Sequence, residues 1–81
     1  MLSDQDLHAK ITTIFREIFD DDKLELFDAM TARDVVDWDS LNHINLIVRI
    51  EKEFGTKFTT SEVSGMKNVG DLKILLRKHN A

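Results

Sequence analysis

The stretch DWDSLNHI, residues 37–44, gathers several groups that could do chemistry. Ser40 offers a hydroxyl, Asp37 and Asp39 offer carboxylates, and His43 follows the serine by about one helical turn. A serine and a histidine so spaced are the start of a nucleophile–base pair. The pair lacks the rest of a catalytic constellation: no G-x-S-x-G elbow surrounds Ser40, and no third group is placed to orient His43. A surface histidine is the better reading of His43.

Metal and phosphate chemistry fare no better. His8, His43 and His79 lie in separate segments, without H-E-x-x-H or any other ligand spacing. There is no cysteine, so disulfides and thiolate sites are excluded. No glycine-rich phosphate loop occurs. The acidic run Asp20-Asp21-Asp22 fails as a calcium loop, because Leu24 stands where an oxygen ligand is required, Glu25 replaces the central glycine and Thr31 replaces the closing glutamate. A chain this poor in internal chemistry binds something, presents something, or is modified.

The elements that position Ser40 read as helices. Leu7, Ile11, Ile14, Phe15 and Ile18 recur at helical spacing after Ser3, and Ser3 with Asp6 forms a capping-box-like start. The stripe stops near Asp20. A second helix is predicted from Ser40 to Phe54, closed by Gly55, with either Asp39 or Ser40 as its cap. A short helix is expected over 61–66, capped by Thr59 or Thr60. A last one follows Asn68 and runs through Leu72, Leu75 and Leu76 to Lys78. Residues 20–39 form a long connection. Leu24, Leu26, Phe27, Met30, Val35 and Val36 make it too apolar for a free linker, so it should pack over the core with at most one short helical turn. The fold class is therefore all-α, three main helices plus a short one, in a single domain over 1–81.

On the second helix Leu46, Ile47, Ile50 and Phe54 fall within about 100° of one another and form the core face. Leu41, Ile44 and Val48 form another cluster about 130° away. Either the long loop covers that cluster, or it is an exposed docking stripe beside the serine.

Charge is uneven within a net −4. Up to Gly65 seven Lys and Arg face fourteen Asp and Glu; from Met66 onward Lys67, Lys73, Arg77 and Lys78 face Asp71 alone. The overall acidity argues against nucleic acid as a partner. No apolar run is long enough for a membrane span, and residues 1–10 lack the pattern of a secretory signal, so a cytoplasmic protein is expected.

The sequence resembles the acyl carrier protein family over nearly its whole length. The resemblance rests on D-S-L at Asp39, Ser40 and Leu41, on E-x-E-F-G at Glu51 to Gly55, and on V-x-D-L at Val69 to Leu72, at matching chain length. It implies a four-helix bundle with a long loop between the first and second helices. It implies that Ser40 carries 4′-phosphopantetheine, transferred from coenzyme A by a separate Mg²⁺-dependent phosphopantetheinyl transferase, with Asp39 supporting the transfer. Acyl or aminoacyl groups would then ride on the arm as thioesters. Acyl-loading and acyl-processing enzymes would dock on Leu41, Ile44 and Val48, with Asp37 and Trp38 beside them. The core beneath Leu46, Ile50 and Phe54 would open to shelter an acyl chain. The chain would be a monomeric carrier, not an enzyme, and would hold no metal. The runner-up is a carrier-like interaction subunit in which Ser40 is only a cap; an enzyme using Ser40 and His43 comes third.

Three features depart from the family. Asp37 and then Trp38 stand where a glycine usually lies about two residues before the aspartate of D-S-L. Asn42, Asn45, Arg49 and Lys52 dilute the usual acidity of the second helix. The final helix is basic. These departures weaken attraction to the basic patches of general fatty-acid synthesis enzymes. They point to a specialised free-standing carrier in a dedicated fatty-acid, lipid or polyketide-type pathway.

Overall fold

In the computed structural model, which describes residues 3–79, helix α1 spans Asp4–Ile18 and starts where the sequence places its cap. Ser3 accepts a hydrogen bond from the Asp6 N–H at 3.1 Å. The return bond of a full capping box is absent, since aspartate is one methylene shorter than the glutamate that usually makes it. Leu7, Ile11, Ile14 and Phe15 are buried, with Ile18 at the edge of the core. The helix ends at Phe19. Asp20 adopts a left-handed backbone (φ 51°), and the Asp21 N–H closes back on the Arg16 carbonyl at 3.0 Å.

Helix α2 covers Ser40–Phe54, α3 Thr60–Gly65 and α4 Val69–Lys78; no strand occurs among the described residues. Gly55 ends α2 in the left-handed region (φ 63°), the conformation that favours glycine at this position. Leu46, Ile47 and Ile50 of α2 meet Val69, Leu72 and Leu76 of α4 and the α1 stripe in one core, and Phe54 packs at its border. Burying each such side chain fully contributes about 1.5–3 kcal/mol, which is what holds an otherwise small bundle together.

The long connection packs over this core through Leu26, Met30, Val35 and Trp38. It contains turns and no helical segment. Two of its apolar residues do not pack as expected: Phe27 is exposed, and Val36 lies wholly in solvent. Turn-by-turn reversals, Met30 N–H to Phe27, Asp34 to Thr31 and Trp38 to Val35, point alternate side chains outward, a path that no periodic rule describes. The loop also completes α4. The Val69 and Gly70 N–H groups, which have no acceptor inside their own helix, bond the carbonyls of Met30 (3.1 Å) and Asp28 (2.8 Å). This approach favours a glycine, because a Cβ at residue 70 would stand 3.2 Å from the Asp28 oxygen, a tight contact.

Helix α3 is held differently. None of its residues is fully buried. Thr59 and Glu62 make the reciprocal capping box that α1 lacks, and Glu62 also meets His79 at 3.1 Å and Lys78 at 3.2 Å at the end of α4. Together these contacts hold the Glu62 carboxyl far below the ordinary glutamate value, at about 2, with the Thr59 N–H the largest cause and His79 next.

Candidate functional site

Asp39, not Ser40, caps α2. Its Oδ1 accepts from the Asn42 N–H at 2.9 Å, and its carbonyl receives the His43 N–H at 2.8 Å. Ser40 is consequently the first residue of the helix, and its exposed hydroxyl engages no hydrogen bond among the described residues. The reading of Ser40 as merely a cap is thereby corrected. Both residue types cap helices well, so sequence rules could not separate them.

The backbone leading to Ser40 is fixed from below. Trp38, expected among the docking residues, is instead a core residue with 7% of its surface exposed. Its ring sits edge-on against Phe15 at 5.3 Å and tilted against Phe19 at 6.1 Å. An indole carries enough apolar surface to drive this burial, provided its N–H finds a partner. The partner is His43 Nδ1, at 3.0 Å. From the surface side, Asn42 Nδ2 donates to the Asp37 carbonyl at 2.8 Å. The Asp37 side chain itself is exposed.

The Trp38 bond settles what His43 can do. An indole N–H only donates, so Nδ1 must be the accepting nitrogen and the proton of the neutral ring lies on Nε2. The one basic lone pair of the imidazole is occupied, and His43 has none left to take a proton from Ser40. Among the described residues no group of three metal-ligating side chains occurs either.

Around the serine the surface is shaped for contact. Leu41, Ile44 and Val48 are 68%, 59% and 49% exposed, so the loop does not cover them. A groove of about 820 Å³ opens beside Ser40, lined among others by Arg33, Trp38, His43, Val63, Met66 and Lys67. A second cleft, about 270 Å³, lies between α2 and α3 beside the stripe, with Ile47, Phe58 and Val63 in its walls. The core under Leu46 and Ile50 is closed, both being wholly buried. Sequence reasoning missed Arg33 and Lys67 as parts of the site. Both lie outside any helix, and only the folded path of the loop brings them to the serine.

An exposed hydroxyl set beside an exposed apolar stripe is placed to be modified and to be met by a partner surface. This is the construction of a carrier domain. Comparison with known proteins places it further: residues 9–76 match the phosphopantetheine attachment site family, and the chain belongs to that family. It is similar to the acyl carrier protein of Lactobacillus acidophilus, with 26% identity over 78 residues that cover 96% of this chain and 98% of the relative. The meromycolate extension acyl carrier protein of Mycolicibacterium aurum is 26% identical over 76 residues, 94% of this chain and 78% of that one. The solution structure of holo acyl carrier protein from Geobacter metallireducens superposes with a TM-score of 0.83 and 45% identity, covering 88% of this chain and 82% of that one. The chain is thus a non-catalytic acyl carrier protein with covalently attached phosphopantetheine, which works with acyl-processing enzymes. No helix among the described residues is long and apolar enough to cross a membrane.

Proposed function

We propose that Ser40 bears the phosphopantetheine arm and that the chain serves a dedicated acyl pathway as a monomeric, cytoplasmic carrier. The carrying observation is the Ser40 hydroxyl itself, exposed at the mouth of α2 and free of hydrogen bonds because Asp39 does the capping. In the transfer the Ser40 oxygen forms a bond to the phosphorus nearest the pantetheine of coenzyme A. The pyrophosphate P–O bond breaks, the adenosine bisphosphate half leaves, and the hydroxyl proton passes to the transferase. Asp39 keeps one carboxylate oxygen outside the cap, and this oxygen helps the transferase hold its Mg²⁺. Once attached, the arm supplies the thiol that holds the acyl group, and tethering raises its effective concentration at each docked enzyme.

Docking runs through Leu41, Ile44 and Val48, with Asp37 at the rim. Asn42 and Asn45 are neutral, and Arg49 is engaged with Glu17 and Glu53, so the face is less acidic than the general carriers' and suits partners that recognise it by shape and apolar contact. Intact-mass measurement after incubation with coenzyme A and a broad-specificity transferase tests the proposal. One phosphopantetheine should be gained by the wild type and none by Ser40→Ala; a gain that persists in the variant would overturn it.

A further inference from the structure

The basic residues of the chain are unevenly employed. Lys10, Arg16, Arg49, Lys73, Arg77 and Lys78 are paired with carboxylates, the last three tying α4 to Asp28, Asp4 and Glu62. Among the described residues Lys23, Arg33, Lys52, Lys57 and Lys67 have no ion pair. Two of these five, Arg33 from the long loop and Lys67 from the α3–α4 connection, line the groove that opens on Ser40.

A phosphodiester on Ser40 would sit beside the carboxylates of Asp37 and Asp39, an unfavourable placement for an anion. The N–H groups at the start of α2 offset part of this, although the cap already uses that of Asn42. Arg33 and Lys67, which line the same groove, are the cations available to supply the remaining countercharge. The rest of the groove matches the pantetheine portion of the arm. Val63, with the small exposed edges of Trp38 and Met66, offers apolar surface to the paired methyl groups. Ser64 offers a hydroxyl to the amides, and the His43 Nε2–H, left free by the Trp38 bond, offers a second donor.

We propose that Arg33 and Lys67 are the counter-ions of the phosphodiester on Ser40, and that the groove between them is a resting seat for the first part of the arm. The inference rests on the assignment of the arm to Ser40. Between visits to partners the arm lies along the groove, and a docking enzyme lifts it out.

The test uses the ¹⁵N-labelled full chain, apo and loaded, with a nitroxide attached to the terminal thiol. Intact mass is read first. Absence of the mass gain overturns the attachment at Ser40 and this inference with it. In fully loaded wild type, amide shifts on loading should extend from residues 39–41 to Thr31–Arg33 and Met66–Lys67, with nitroxide broadening at Val63 and Ser64. In the double variant Arg33→Gln, Lys67→Gln the seated-to-free ratio should fall about fourfold, each exposed pair being worth a factor of about two. Raising salt from about 0.05 to 1 M should weaken the seating in the wild type in the same sense, without any mutation. Full loading with shifts confined to residues 39–41, or seating unchanged by both the variant and salt, overturns the inference alone.

Discussion

Truncating Asp39 and truncating Ser40 should have opposite consequences, although the residues are neighbours of types that both cap helices. Asp39→Ala removes the acceptor of the 2.9 Å bond from the Asn42 N–H. Loss of such a cap costs about 1 kcal/mol, within a range of about 0.5–2. For a chain of this length the unfolding entropy near 60 °C is about 0.17 kcal/mol/K, so the melting temperature should drop by about 6 °C. Ser40→Ala removes a hydroxyl that bonds nothing and puts a strong helix former at the first position of α2. Its effect on stability should stay within about 0.5 kcal/mol, or about 3 °C. Modification should reverse the order: on the assignment of the arm to Ser40, Ser40→Ala should accept no phosphopantetheine at all. Asp39→Asn separates the two uses of the carboxylate. Asparagine caps as well as aspartate, so stability should be retained. The charge available to the transferase's metal is gone, and the initial rate of modification should fall by about 10- to 100-fold, the usual scale for groups that support a metal. Thermal unfolding by circular dichroism and intact-mass time courses read both properties on the same samples. The reasoning fails if Ser40→Ala destabilises as much as Asp39→Ala, or if Asp39→Asn melts with the alanine variant.

The loop and α3 carry two more expected outcomes. Gly70→Ala should destabilise by about 1 kcal/mol despite alanine's better helix propensity, because the crowded Asp28 carbonyl is held by the Gly70 N–H itself and cannot retreat; a higher melting temperature would refute this. The lowered pKa of Glu62 means that its stabilisation is complete above about 4.5 and is lost as the pH falls towards about 2. Glu62→Gln, which can still accept the Thr59 N–H, should therefore unfold with a shallower pH dependence than the wild type between those values, as read by melting temperature; identical slopes would refute it.

The helices were legible because they bury one face against a core, and a 3.6-residue period records that directly. Ser3, Thr59 and Asn68 cap as their types dictate, and Gly55 stops α2. Ser40 was legible as a singular hydroxyl, and Leu41, Ile44 and Val48 as a second stripe. Whether the stripe was covered depended on the path of residues 20–39, which has no period to read. Trp38 shows the difficulty well. Its burial depends on Phe15 and Phe19 lying beneath it and on His43 being placed to accept its N–H, contacts that exist only once the loop has folded over α1. Val36 shows the converse: an apolar residue one step along a turn points into water whatever its hydropathy. Arg33 and Lys67 were illegible for a related reason. They are far apart in the chain, and unremarkable types outside helices, until the groove joins them.

The three larger helices each bury residues in the core, whereas α3 fully buries none: it packs on the core through the partly buried Val63 and is held further by its capping box, the Glu62 contacts and the edge-on packing of Phe58 against His79 at 5.2 Å. Segments with few fully buried apolar contacts are the ones that open at low free-energy cost. Val63 and Ser64 of this helix line both the groove at Ser40 and the cleft beside Ile44 and Val48. One wall thus serves both spaces, and its movement alters both together. Ser40, by contrast, follows Trp38, which is buried in the core against Phe15 and Phe19. If Ser40 carries the arm as proposed, the attachment point should therefore be held more firmly than the surface facing it, which would let a carrier present its arm from a constant position and still accommodate cargo of different bulk.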